Sequence, residues 1–241
     1  MNRYYYDMHI HSCLSPCGDN DMTPNNIAMM GVLNGLNIMA LTDHNSSKNC
    51  PAFVKAAKKQ GIVPICGMEL TTAEDIHIVC LFPTLEKAMA FDEYVDSRRI
   101  KIKNKPNIFG EQLIMDENDE VIGCEEYLLI NATSITVEEI PGIIKDFGGI
   151  CYPAHIDREA NGIISALGVF PENSGFTLAE FADSENIGTY RSKYSEVADK
   201  KLIVSSDAHY LWNIKEMQEY FEIEDEPYSS ALVTERLFEQ L

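Results

Sequence analysis

Short apolar runs separated by helical stretches recur along the chain, and several of these runs stop on histidine, aspartate or glutamate. The alternation is what most limits the fold. Tyr4–Ile10 reads as a first strand, and Thr23–Leu33 as a helix with Thr23 as N-cap and Pro24 in the first turn. Asn37–Leu41 is a second strand, Pro51–Gln60 a helix closed by Gly61, and Ile62–Gly67 a third strand. His77–Phe82 is a fourth apolar run, followed by a helix over Leu85–Arg99. Farther on come a helix at Val137–Phe147, strands at Gly149–Pro153 and Thr177–Phe181, a helix at Tyr190–Lys200, a strand at Leu202–Ser206 and a tail of one or two helices. Strands alternating with helices require a largely parallel sheet with right-handed crossovers. About six or seven such units predict a closed or nearly closed α/β barrel. Residues 106–135 break the rhythm. There Glu111–Met115 and Glu120–Gly123 flank a turn-like Asp116-Glu117-Asn118-Asp119, which predicts a small hairpin insert. Residues 1–241 are expected to form one catalytic domain around it.

Composition narrows the partners. With 38 acidic against 19 basic residues, the formal charge of −19 repels a long phosphate backbone unless a basic patch or bound cations intervene. The one basic cluster, residues 98–105, reads as solvated surface. No apolar run approaches the roughly 18 residues that span a bilayer, and the N-terminus lacks the apolar core of a signal peptide. Seven cysteines without a CxxC pair predict free thiols in a reducing compartment, so the expected location is the cytoplasm.

The chemistry lies at the strand ends. Residues two apart in an extended chain point to one side, so His9 and His11 at the end of the first strand present both imidazoles together. The second strand ends in Thr42-Asp43-His44, the third in Gly67-Met68-Glu69, the 149–153 strand in Ala154-His155, and the last in Ser206-Asp207-Ala208-His209. Parallel barrels build their sites from residues at that face. His77 begins its run instead, and reaches the same face if its strand is antiparallel or leaves a loop beside the site. All six histidines fall within or beside such ends. Imidazole with carboxylate suits zinc, manganese or iron, and more donors are present than one tetrahedral site takes, so two or three divalent ions are expected. Asp43 either ligates or orients a ligand histidine. Arg158 either clamps a phosphate through its planar fork or pairs with Asp157 or Glu159.

As a set, His9-Ile10-His11, Thr42-Asp43-His44, Glu69, His77, His155 and Asp207-Ala208-His209 resemble the motifs of the polymerase and histidinol-phosphatase (PHP) family, in order and over nearly the whole chain. The resemblance implies a distorted, TIM-barrel-like (β/α)7 fold, a trinuclear metal site and phosphoesterase chemistry. It implies one ion at His9, His11, Glu69 and Asp207, and a second sharing Glu69 with His77 and His155. The third would take His44, His209 and a residue shortly after the HxH. Here the chain departs from the family: Ser15-Pro16-Cys17-Gly18-Asp19 offers Cys17 by spacing, or Asp19, in place of the usual His or Asp.

The expected activity is hydrolysis of a phosphate ester of a small metabolite or nucleotide by a metal-activated water. Arg158 would neutralise phosphoryl oxygens, and His209, His44 or a metal-bound water is the candidate acid for the leaving oxygen. Rival readings are a short-oligonucleotide exonuclease, a metal-dependent amidohydrolase and a non-catalytic metal-binding module. The amidohydrolase usually adds a strand-end lysine that is missing here, and the non-catalytic module would show gaps in the ligand set.

Overall fold

A computed structural model describes residues 1–241. Ten strands form: β1 (Asn2–Ile10), β2 (Ile38–Leu41), β3 (Val63–Thr71), β4 (His77–Phe82), β5 (Leu113–Met115), β6 (Val121–Cys124), β7 (Ile150–Pro153), β8 (Leu178–Phe181), β9 (Lys201–Val204) and β10 (Tyr220–Ile223). One sheet runs β10-β1-β2-β3-β4-β7, and β8 pairs with β9. Single links close the ring: Ile156 N–H donates to Glu180 O between the ends of β7 and β8, and Ala208, beyond β9, bridges to Ile10. The ring order is therefore β1-β2-β3-β4-β7-β8-β9, a seven-stranded barrel distorted at two thin seams.

The alternation predicted most of this, with local corrections. β4 is antiparallel to both β3 and β7, because Thr72–Ile76 is too short for the dozen or so residues that a parallel crossover takes. β3 runs on to Thr71, and the helix after β4 stops at Asp96. The stretch 190–200 is two short helices, Ile187–Lys193 and Ser195–Ala198, parted at Tyr194. The tail holds β10 and one α-helix, Ser230–Gln240. Thr23 caps the helix Pro24–Leu33 by accepting from Asn26 N–H. β5 and β6 form the antiparallel hairpin of the insert.

Two apolar layers hold the barrel. A cluster that includes Tyr6, Met8, Ile38, Ala40, Val63, Ile65, Val79 and Leu81 fills the interior. A larger one, including Phe53, Phe82 and Phe91, packs the helices on the outside. Strand alternation then decides what stands above the interior plug. The inward column Val63, Ile65 continues to Glu69; Ile38, Ala40 continues to His44; Leu178 to Glu180; and Ile203 to Asp207. On the reversed β4, Leu81 and Val79 continue to His77. β1 needs a correction to its parity. Its register with β2 slips between Asp7 and Ile10, so that Tyr4, Tyr6 and Met8 enter the interior cluster while His9 and His11 also turn inward. A bulge beside a site re-aims side chains in this way.

Candidate metal centre

Glu69 is the hub. Its Oε1 lies 2.9 Å from His77 Nδ1, 3.1 Å from His155 Nε2 and 3.3 Å from His9 Nε2. Its Oε2 lies 3.0 Å from His44 Nδ1 and 3.4 Å from His11 Nε2. Asp207 Oδ1 approaches His11 Nε2 at 3.0 Å and His9 Nε2 at 3.4 Å. Three donor groups converge: His9, His11, Glu69 and Asp207; His44, Glu69 and His77; and His11, His44 and His209. His155 stands beside them, joined through Glu69.

The donor set fits cations. Glu69 Oε2, Asp207 Oδ1, His44 Nδ1 and His155 Nδ1 are buried without a hydrogen-bond partner, though His44 Nδ1 and Glu69 Oε2 are close neighbours. Buried polar atoms are rarely left so, and here several meet around shared points. Two of the residues bear backbone strain that aims them: His155 has φ +29° and Asp207 φ +52°.

Hydrogen bonds to the far side of the rings set which nitrogen is free. Glu180 Oε1, a carboxylate that can only accept, receives His9 Nδ1–H at 2.9 Å, leaving Nε2 to face the cluster. Ser15 spends its hydroxyl proton on Asp43 at 2.7 Å, so it must accept from His11 Nδ1 at 2.9 Å, and again Nε2 is left free. Asp43 also takes Ser12 N–H and Ser12 Oγ–H, which assigns it to orienting this loop rather than to the donor groups. His209 Nδ1 donates to Asp207 O at 2.8 Å. Ser15 and Glu180 are the residues that sequence reasoning missed. Glu180 left one signal, a lone carboxylate within the apolar run Leu178–Phe181.

Charge follows the same plan. Burial pulls His9 down, but Glu180, Glu69 and Asp207 outweigh it and raise it well above an ordinary histidine. Against burial, Asp207 and Glu69 lift His11 to about 9. Burial and the neighbouring His11 cation lower His44 to about 3 and His209 to about 4. Neutral imidazole is the ligating form, and the lowered His44 and His209 favour it. Burial pushes Glu69 and Asp207 upward, yet the surrounding imidazoles hold both carboxyls well below their usual range. The upward shifts of His9 and His11 mark where the carboxylates favour positive charge, which bound cations would supply.

The remaining predicted residues divide. Arg158 bonds neither Asp157 nor Glu159; its Nη1 donates to Asp207 Oδ2, and the side chain is 43% exposed at the mouth. Asp157 instead receives the backbone N–H groups of Ala182 and Asp183. Cys17 is exposed and falls outside all three donor groups. Asp19 falls outside them as well, its Oδ1 accepting Asp21 N–H at 2.8 Å. The insert borders the site: Leu113 N–H donates to Cys13 O, and Gly110 packs so tightly on Pro16 O that a β-carbon there would sit 2.2 Å from it.

A barrel rim of converging imidazoles and carboxylates is a metal-binding arrangement. The chain belongs to the PHP family, of metal-dependent hydrolases acting on phosphoester bonds: the PHP domain model matches residues 7–141, which include His9, His11, His44, Glu69 and His77. A 5'-3' exoribonuclease of Haemophilus influenzae is 35% identical over 79 residues, which cover 32% of this chain and only 28% of that relative. Among solved structures, a lesion-specific endonuclease from Pyrococcus furiosus superposes with a TM-score of 0.66 at 21% identity, covering 99% of this chain and 55% of its own. An amidohydrolase from Chromobacterium violaceum gives 0.60 at 16% identity, covering 98% and 96%. At such identities the two structures speak to the fold. No helix is long and apolar enough to cross a membrane.

Proposed function

We propose that residues 1–241 act as one catalytic unit that hydrolyses a phosphate ester of a small metabolite or nucleotide. The centre would hold two or three divalent ions of zinc, manganese or iron through His9, His11, His44, Glu69, His77, His155, Asp207 and His209. The observation that carries this reading is Glu69, a buried carboxylate met by five imidazole nitrogens within 3.4 Å. Such ions supply Lewis acidity and a nucleophile from water near neutral pH. The chain's own part is to hold that chemistry in place. Glu180 and Ser15 fix the tautomers of His9 and His11, and the inward columns of the barrel keep the donors rigid. Arg158, tethered to Asp207 and open to solvent, binds phosphoryl oxygens with its planar fork. The seven free thiols suit a reducing compartment, and we place the enzyme in the cytoplasm.

The exoribonuclease match favours a second reading, a short-oligonucleotide exonuclease. The formal charge of −19 and the lack of a free basic track weigh against long strands. Within the 98–105 cluster, Arg99 and Lys101 pair with Asp96, and Lys103 with Glu126. An amidohydrolase is disfavoured because no lysine lies within salt-bridge distance of Glu69 or Asp207, whose partners are the histidines and Arg158. Hydrolysis of p-nitrophenyl phosphate and its diester by apoprotein reloaded with zinc, manganese or iron separates the readings. Activity that vanishes in His9→Ala and Asp207→Ala with the fold retained is the expected result. Turnover of amides with no turnover of phosphate esters would overturn it.

A further inference from the structure

Directly after His209, the chain holds two aromatic rings in the open. Tyr210 and Trp212 stack with centroids 4.8 Å apart and planes 21° from parallel. Trp212 is 74% exposed and Tyr210 38%. Leu211 between them packs against the outer core, so the short turn Leu211–Asn213 divides the segment into an anchored and an outward side. Asn213 N–H donates to Tyr210 O at 2.9 Å, which keeps the turn closed. The segment is also tied to the loop that follows the HxH: Asp19 N–H donates to His209 O at 2.9 Å. This aromatic stack lies next to the donor His209, and neither ring belongs to the hydrophobic clusters of the chain. Flat rings of this kind stack on bases of any sequence, because every base offers a π-face.

We propose that Tyr210 and Trp212 form the platform on which the base of a small nucleoside phosphate stacks while its phosphate reaches the metal centre. The proposal rests on the phosphoesterase reading and names its substrate class. Charge favours a short ligand: Arg158 is the guanidinium paired with Asp207 at the donor cluster, and a chain of net −19 repels a long polyanion.

Trp212 is the only tryptophan, so its fluorescence reports this spot alone. Adenosine 5'-monophosphate and ribose 5-phosphate share the phosphoester and differ in the base. Titrated into metal-loaded protein, the first should quench Trp212 saturably and the second should not. Trp212→Ala should raise KM for the nucleotide roughly tenfold, leave KM for ribose 5-phosphate within twofold and spare kcat for both, while Trp212→Phe keeps most of the preference. Turnover of ribose 5-phosphate without quenching by the nucleotide, or equal effects of Trp212→Ala on both esters, overturns the platform and leaves phosphoester hydrolysis standing. Quenching with no turnover of any phosphate ester keeps the platform and removes the hydrolytic reading. Tight, steeply salt-dependent binding of a long single strand overturns the limit to small substrates.

Discussion

Replacing Glu180 by glutamine tests whether the barrel interior, and not the donors alone, sets affinity for cations. Glu180 touches none of the converging points. It accepts His9 Nδ1–H at 2.9 Å and His155 N–H at 3.1 Å from within the barrel. Glu180→Gln keeps the shape and removes the charge that raises the basicity of His9. Loss of such a partner costs about tenfold to a hundredfold in metal affinity, or roughly 1.4–2.8 kcal/mol. The same loss should appear as stability. A ligand at a hundred times its Kd adds about 2.7 kcal/mol, so at fixed metal concentration a hundredfold weaker variant forfeits nearly all of that increment. Competition against a chromogenic chelator gives Kd, and thermal unfolding with and without metal gives the increment. Glu180→Ala is the harsher control, since it strands two buried N–H groups at about 1–3 kcal/mol each. A Glu180→Gln protein that binds zinc or manganese within twofold of wild type refutes the reasoning, and Glu180 would then serve packing alone.

Chelation should abolish phosphoester hydrolysis and lower Tm, and readdition of one of the three metals should restore both; an unchanged Tm would show that the donors hold no structural ion. Arg158→Ala should reduce kcat/KM about tenfold to a hundredfold through loss of charge-assisted hydrogen bonds, with Arg158→Lys between, whereas an undiminished value would leave Arg158 as a tether for Asp207. Acid should loosen the insert. Burial acts upward on Glu125, but Lys48 and Arg99 outweigh it and hold its carboxyl below the usual value. A depressed folded pKa gives stability that is present above the unfolded value, near about 4.3, and fades as pH falls through the folded one. Amide exchange across residues 111–126 should therefore accelerate toward pH 3 more in wild type than in Glu125→Gln.

What could be read from the sequence was whatever depended on local periodicity. The apolar runs gave the strands, and the inward parity of β3, β2 and β9 carried straight on to Glu69, His44 and Asp207, so those donors were visible before any fold was known. His77 needed the direction of β4, which follows from five residues of loop, Thr72 to Ile76, once the neighbouring strands are known. β10 escaped notice because an edge strand that alternates between exposed and buried, Tyr220–Ile223, is indistinguishable from acidic tail without its partner Asn2–Tyr5. Glu180 and Ser15 escaped for a different reason. Their roles are relational: a carboxylate on β8 fixes a tautomer on β1, 171 residues away in sequence, and a serine matters because Asp43 has already taken its proton. The failure of Cys17 and Asp19 to join the donor groups has the same root. Spacing after the HxH places them near the mouth, but the Asp43–Ser12–Ser15 bonds and the contact with Gly110 decide how the loop turns, and those come from two other segments of the chain. Periodicity thus locates the donors, while long-range hydrogen bonds select the nitrogen each one presents.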